Sequence, residues 1–215
     1  MRKKTIEHIE TEPDFHTSRI ASFSDAIFAF TITLMVVDLK PPDLSNQMNT
    51  VESIYQLFKL VPSFLGVLLS FFLVATYWKR HHQLFYFVTG PDSGFIWLNS
   101  VFMFSIVFVP FSISFYLQNI AIESPLPIIL YNINFIISSI LLYRLFSFVF
   151  NKSKVDRGTI STNIFKEIRY SIFVYAIVII ISAFNSGIAP LGYILFGFKR
   201  RFSVNKNKKL KIVEK

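Results

Sequence analysis

Four apolar runs, at residues 20–39, 57–78, 94–117 and 126–149, set the limits on what this chain can fold into. Each holds about 20 residues or more, which as an α-helix is long enough to cross the roughly 30 Å hydrocarbon core of a bilayer. The rest of the composition agrees: 53% of residues are hydrophobic, 26 of the 215 are Phe, and the mean hydropathy is +0.50. The chain therefore reads as an all-α integral membrane protein. The absence of cysteine excludes disulfides, thiolate metal sites and cysteine chemistry. Residues 1–18 are charged and lack a short apolar core followed by a cleavage site, so no removable signal peptide is expected.

Two further spans, 169–184 and 188–199, share one stretch from Ile172 to Phe198. A single long tilted helix competes there with a tight hairpin. Asn185-Ser186-Gly187 followed by Pro190 is strong turn punctuation and favours the hairpin. Charge gives the same answer. With six spans, the N-terminus, the 79–93 loop, the 150–168 loop and the tail share one side. All 22 Lys and Arg residues fall there except Lys40, Lys59 and Arg144, and Arg144 can snorkel to the same face. The positive-inside rule then places both termini in the cytoplasm, whereas an odd number of spans puts the basic tail outside. The expected organisation is a cytoplasmic N-terminal segment at 1–18, a six-helix transmembrane domain at 19–199 and a basic cytoplasmic tail at 200–215. That tail accounts for much of the +9 net charge. It suits anionic lipid, at about 1 kcal/mol per basic residue near the surface, better than nucleic acid. A cysteine-free chain rich in Ile, Asn, Lys and Phe fits a bacterium of low genomic G+C, and hence a multi-pass protein of a bacterial inner (plasma) membrane.

The first helix carries an ionisable group. An intramembrane carboxylate costs roughly 2.5–3.5 kcal/mol on insertion scales, so Asp25 marks a function and needs a partner. At about 100° per residue, Phe23, Ile27, Phe30, Leu34 and Val37 lie within roughly 40° of one direction, with Asp25 about 200° from Phe23. Ser24 and Thr31 fall on one flank and Thr33 on the other. Asp25 sits about 8 Å inside the end of its helix, level with the end of the second span and the start of the third. Arg19, Asp25, Trp78, His81, His82, Trp97 and Asn99 are therefore expected at one interface, as a polar knot tying helices one, two and three. Indole and imidazole N–H donors are what a buried carboxylate needs. The fourth span holds Tyr131, Asn132, Asn134, Ser138 and Ser139, groups suited to hydrogen bonds between helices.

Arg19, Phe23, Ser24 and Asp25, with Ala29, Thr33 and Leu34 following, form a run similar to the signature of the transmembrane protein 175 family of potassium channels. Trp78 with His81-His82 resembles the family's W-x-x-H-H segment. Trp97-Leu98-Asn99 and Pro110-Phe111 continue the likeness in register, over residues 19 to 111. The resemblance is to the prokaryotic single-repeat type, and it implies a six-helix subunit assembled as a homotetramer around four copies of helix one. It further implies a constriction of apolar side chains, here Phe30, Leu34 and Val37, with Thr33 as an adjacent polar layer. Phe30 departs from the smaller aliphatic residue usual at its position, and its ring is expected to narrow the opening. Asp38, about 60° from Phe23, is expected as an acidic ring that concentrates cations at the mouth.

The function expected is a potassium-preferring passive cation channel in a lipid bilayer, with K⁺ as the permeant ion and no cofactor, metal site or nucleic-acid partner. An apolar ring controls flow through its width and through dewetting, so modest K⁺ preference follows from the easier dehydration of K⁺. The alternatives are a proton channel using the same pore and a secondary transporter. The first three spans show neither the broken paired helices nor the inverted repeat of a transporter. No H-E-x-x-H run and no evident nucleophile–base pair supports an enzyme.

Overall fold

The computed structural model describes residues 13–37, 39–42, 49–120, 124–152 and 159–196. They form α1 (Pro13–Val37), α2 (Thr50–Phe58), α3 (Val61–Phe85), α4 (Ser93–Val107), α5 (Val109–Gln118), α6 (Leu126–Lys152), α7 (Thr159–Phe184) and a 3₁₀ turn at Ala189–Tyr193. Five stretches among the described residues are long and apolar enough to cross a membrane: Thr17–Val37, Thr50–Phe85, Ser93–Gln118, Leu126–Lys152 and Thr162–Phe184. The protein is a multi-pass, helical membrane protein.

Prolines divide two of the spans. Pro110 has no N–H to give the Ile106 carbonyl, so the third span breaks at Phe108 into α4 and α5. Pro62 follows a similar break at Lys59-Leu60, which sets α2 apart from α3. The nine residues of α2 are held by a capping box in which Asn49 and Glu52 satisfy each other's backbone amides, and none of them is buried. Between α3 and α4 the chain turns at Gly90, whose φ of 64° lies in the left-handed region open to glycine. Asp92 then caps α4 by accepting from the Phe95 amide at 2.8 Å.

After Phe184 the chain leaves the helix. The Asn185 Oδ1 accepts from the amides of Gly187 (2.9 Å) and Ile188 (3.3 Å), closing the turn that the sequence punctuation indicated. The returning segment packs on α7, and the Tyr170 hydroxyl donates to the Leu195 carbonyl at 2.6 Å. A single long helix through this region does not form. The expected sixth span at 188–199 begins as the 3₁₀ turn and is helical to Phe196, while residues 197–199 lie outside the described residues.

The core centres on α6, which packs against α4, α5 and α7, while α1 lies across α3, α4 and α5. Phe102, Ile106, Phe135, Leu142 and Phe146 are fully buried between these elements. Polar groups on α6 are satisfied across the helices. Tyr77 hydrogen-bonds the Phe135 carbonyl (2.9 Å) and the Ser139 hydroxyl (2.6 Å). Asn134 donates to Ser112 (3.3 Å), Ser138 to Ser105 (2.9 Å), and Tyr193 to Asn132 (2.8 Å). Ser70 gives its proton to the Gly66 carbonyl, so Tyr131 is the donor in the 2.7 Å bond between their hydroxyls.

Candidate functional site

α1 is held by one face. Thr17, Ser24, Phe28, Thr31 and Met35 are buried, recurring at intervals of seven, four, three and four residues, which on a 3.6-residue helix make a single seam. The opposite face is bare: Phe23 is 61% exposed, Phe30 63% and Val37 75%. Ile27 and Leu34 sit half-buried at its border, and Thr33 is exposed, its hydroxyl donating back to the Phe30 carbonyl at 2.8 Å. The apolar stripe that the helical wheel defines is thus the side of α1 that the subunit leaves largely uncovered. Asp38 lies outside the described residues.

The seam is anchored by polar contacts from Ser24 and Asp25 near the end of the bundle where α3 ends and α4 begins. The Trp78 indole Nε1–H donates to Asp25 Oδ1 at 2.8 Å. Beside it, the Ser24 hydroxyl donates to the Ile20 carbonyl (2.9 Å), so it accepts from the Asn99 side-chain amide (3.1 Å). The Asn99 carbonyl oxygen then accepts from His81 Nε2–H at 2.7 Å. That chain puts a proton on His81 Nε2. Its Nδ1 is buried and meets no hydrogen-bond partner among the described residues. The ring is enclosed by Phe28 (5.6 Å), Phe85 (5.1 Å) and Phe102 (5.3 Å) between centroids.

The expected knot therefore resolves into two adjacent links, Asp25 to Trp78 and Ser24 to Asn99 to His81, and it joins α1, α3 and α4. Three expectations change in detail. Asp25 is half-buried rather than enclosed, because it sits at the border of the seam. His82 packs against Trp78 (5.8 Å) and meets Tyr86 edge-on (5.9 Å) instead of reaching the carboxylate. Trp97 is 73% exposed and stands apart, on the outward side of α4, as an aromatic-belt residue does. Arg19 is exposed and lines a cleft with Pro91 and Ile96.

Sequence reasoning overlooked Arg80. It is 7% exposed and points away from α1, towards α7, where it donates to Ser171 (3.2 Å) and faces Glu167 (3.7 Å). The signal for it was its position between Trp78 and His81. Two neighbours committed to α1 and α4 leave the residue between them on another face of the helix.

An all-helical multi-pass subunit, one of whose helices is pinned along one side and bare along the other, is the class of protein this fold defines. The family model described as endosomal/lysosomal potassium channel TMEM175 matches residues 19–110, which contain both polar links and the whole bare stripe. The chain is 36% identical over 103 residues to a potassium channel of Chamaesiphon minutus, covering 48% of this chain and 50% of that one. It is 32% identical over 127 residues to a potassium channel of a Chryseobacterium species, covering 57% and 59%. The chain thus spans about half the length of the curated relatives it matches. The crystal structure of a lysosomal potassium-selective channel TMEM175 homolog from Chamaesiphon minutus superposes with a TM-score of 0.73 at 26% identity, over 88% of this chain and 98% of that one. The likeness to the TMEM175 family thus lies in residues 19–110 by sequence, and in the fold over 88% of the chain.

Proposed function

We propose that this protein is a potassium-preferring passive cation channel rather than an enzyme, and that it works as a homotetramer with α1 of each copy facing a central pore. The observation that carries the reading is the bare apolar face of α1 opposite a hydrogen-bonded seam. A helix pinned this way can present side chains to a conduction path without moving. Phe30, Leu34 and Val37 form the constriction, Thr33 adds a polar layer, and Asp38 forms an acidic mouth. The potassium channels that the chain resembles, and the potassium-selective homolog whose fold it shares, support the choice of ion.

The ring of apolar side chains passes a partly hydrated cation at a cost set by the water it sheds, which favours K⁺ over Na⁺ modestly. Lys79, Arg80, Lys152, Lys166 and Arg169 all lie near the end of the bundle where α1 begins. The positive-inside rule places that end in the cytoplasm of a bacterial cell, with both termini, in the inner membrane.

The deciding experiment is K⁺ against Na⁺ flux in proteoliposomes, for the native chain and for Leu34→Ala. K⁺-preferring flux whose preference falls in the variant is expected. Acid-driven current independent of K⁺ would instead reveal a proton channel, and saturable ion-coupled uptake a transporter.

A further inference from the structure

Arg80 lies about 8 Å from the end of α3, five residues before Phe85 at 1.5 Å each. Trp78 and Trp97 mark that end as the level of lipid headgroups. A buried cation in a membrane helix needs full compensation. Among the described residues, Arg80 has less than that. Its separation from Glu167 is 3.7 Å, against the ~2.7–2.9 Å of a charge-assisted hydrogen bond, and Glu167 is 46% exposed. Its other contact is a neutral serine hydroxyl.

The guanidinium also lines a cavity of about 250 Å³ between α3 and α7. Above Arg80 its wall is apolar, made by Leu69, Phe72, Leu73 and Phe196, and it opens past the exposed side chains of Phe72 and Thr76. A planar donor fork at headgroup depth, with an apolar trough running from it along α3, has the outline of one phospholipid lying parallel to the helix. We infer that this cavity binds one anionic phospholipid, its phosphate on Arg80 and an acyl chain along Phe72 and Leu69. The phosphate takes the place of the Glu167 carboxylate, which swings to water.

That exchange gives opposite signs to the two partners of one ion pair, which a merely structural pair does not. The test is native mass spectrometry of the intact protein in detergent, titrated with dioleoyl-phosphatidylglycerol and with dioleoyl-phosphatidylcholine. Preferential retention of the glycerol lipid is expected. Arg80→Gln should weaken it at least about tenfold, the equivalent of one charge-assisted hydrogen bond, while Glu167→Gln strengthens it. Thr76→Trp fills the trough at an exposed position, leaves Arg80 and Glu167 in place, and should also abolish retention. Should Arg80→Gln fail to fold, this variant decides. Equal retention in native, Thr76→Trp and Glu167→Gln proteins overturns the site. Displacement of the lipid by millimolar inorganic phosphate overturns the lipid as occupant in favour of the free anion.

Discussion

α1 and α6 are both membrane helices of similar hydropathy, yet the subunit treats them differently. In the most apolar 18-residue stretch, 22% of residues are buried in α1 and 50% in α6. α6 spends its polar groups on neighbours within the subunit, through Tyr131, Asn132, Asn134, Ser138 and Ser139. α1 uses Ser24 and Asp25 to fasten one side and leaves Phe23, Phe30 and Val37 without cover. The lesson is that buried polarity serves assembly on both helices, and that the constriction proposed for α1 rests on the apolar side chains of Phe30, Leu34 and Val37.

The contrast breaks most severely if the fastening of α1 is removed. Asp25→Ala leaves the Trp78 N–H without its acceptor, and the yield of folded protein on size-exclusion chromatography should fall at least about tenfold. Asp25→Asn keeps an Oδ1 acceptor for Trp78 and should recover most of that yield. A fully assembled Asp25→Ala protein that has lost only its current would falsify the anchoring role.

On α6, Asn134→Leu and Ser138→Ala each delete a buried interhelical hydrogen bond. Each should lower stability by about 0.6–1.7 kcal/mol in thermal unfolding and leave the K⁺/Na⁺ flux ratio unchanged. Phe30→Leu should do the reverse. Its ring is 63% exposed in the subunit, so unfolding of the subunit should move by less than about 0.5 kcal/mol while flux rises as the opening widens. If Phe30→Leu destabilises like the α6 variants and leaves flux alone, the two helices do not differ in the way described.

The smallest effect expected is at the bundle's rim. Lys152 bonds the Asp92 carboxylate at 2.8 Å and, with the Phe95 amide, holds it below the usual carboxylate range. A depressed folded-state value contributes stability that is complete above the unfolded pKa of ~3.9 and disappears as pH falls through the folded one. Lys152→Gln should therefore lower stability slightly at neutral pH, where that contribution is complete, leave it unchanged at low pH where the contribution is already lost, and so flatten the acid limb of the curve.

Five of the six expected membrane helices were legible, in order, because bilayer thickness imposes one length on all of them. The hairpin after α7 was legible too, because Asn185, Gly187 and Pro190 act locally. The α1 stripe and the polar composition of α6 followed from helical periodicity. The fate of individual groups in the knot did not, since periodicity gives a direction around each helix and not which of two donors arrives first. Trp78 rather than His82 reaches Asp25 because one helical turn separates them, and Trp97 misses it by facing outward on α4. Arg80 was hidden for a related reason: a charge near a helix end reads as topology, and its burial against α7 depends on a packing partner about 90 residues away in sequence.

The separate helix α2 has a practical consequence. Together α2 and α3 run 36 residues, about 54 Å if straight, far more than a bilayer core requires. The surplus is α2, rigidly capped and with every residue accessible, in a protein with no native thiol. A single cysteine in place of Val51 is therefore the only attachment point for a spin label, and pulsed dipolar spectroscopy from it is a ruler. Four-fold symmetry demands two distances in the ratio of a square's side to its diagonal, and a dimer gives one.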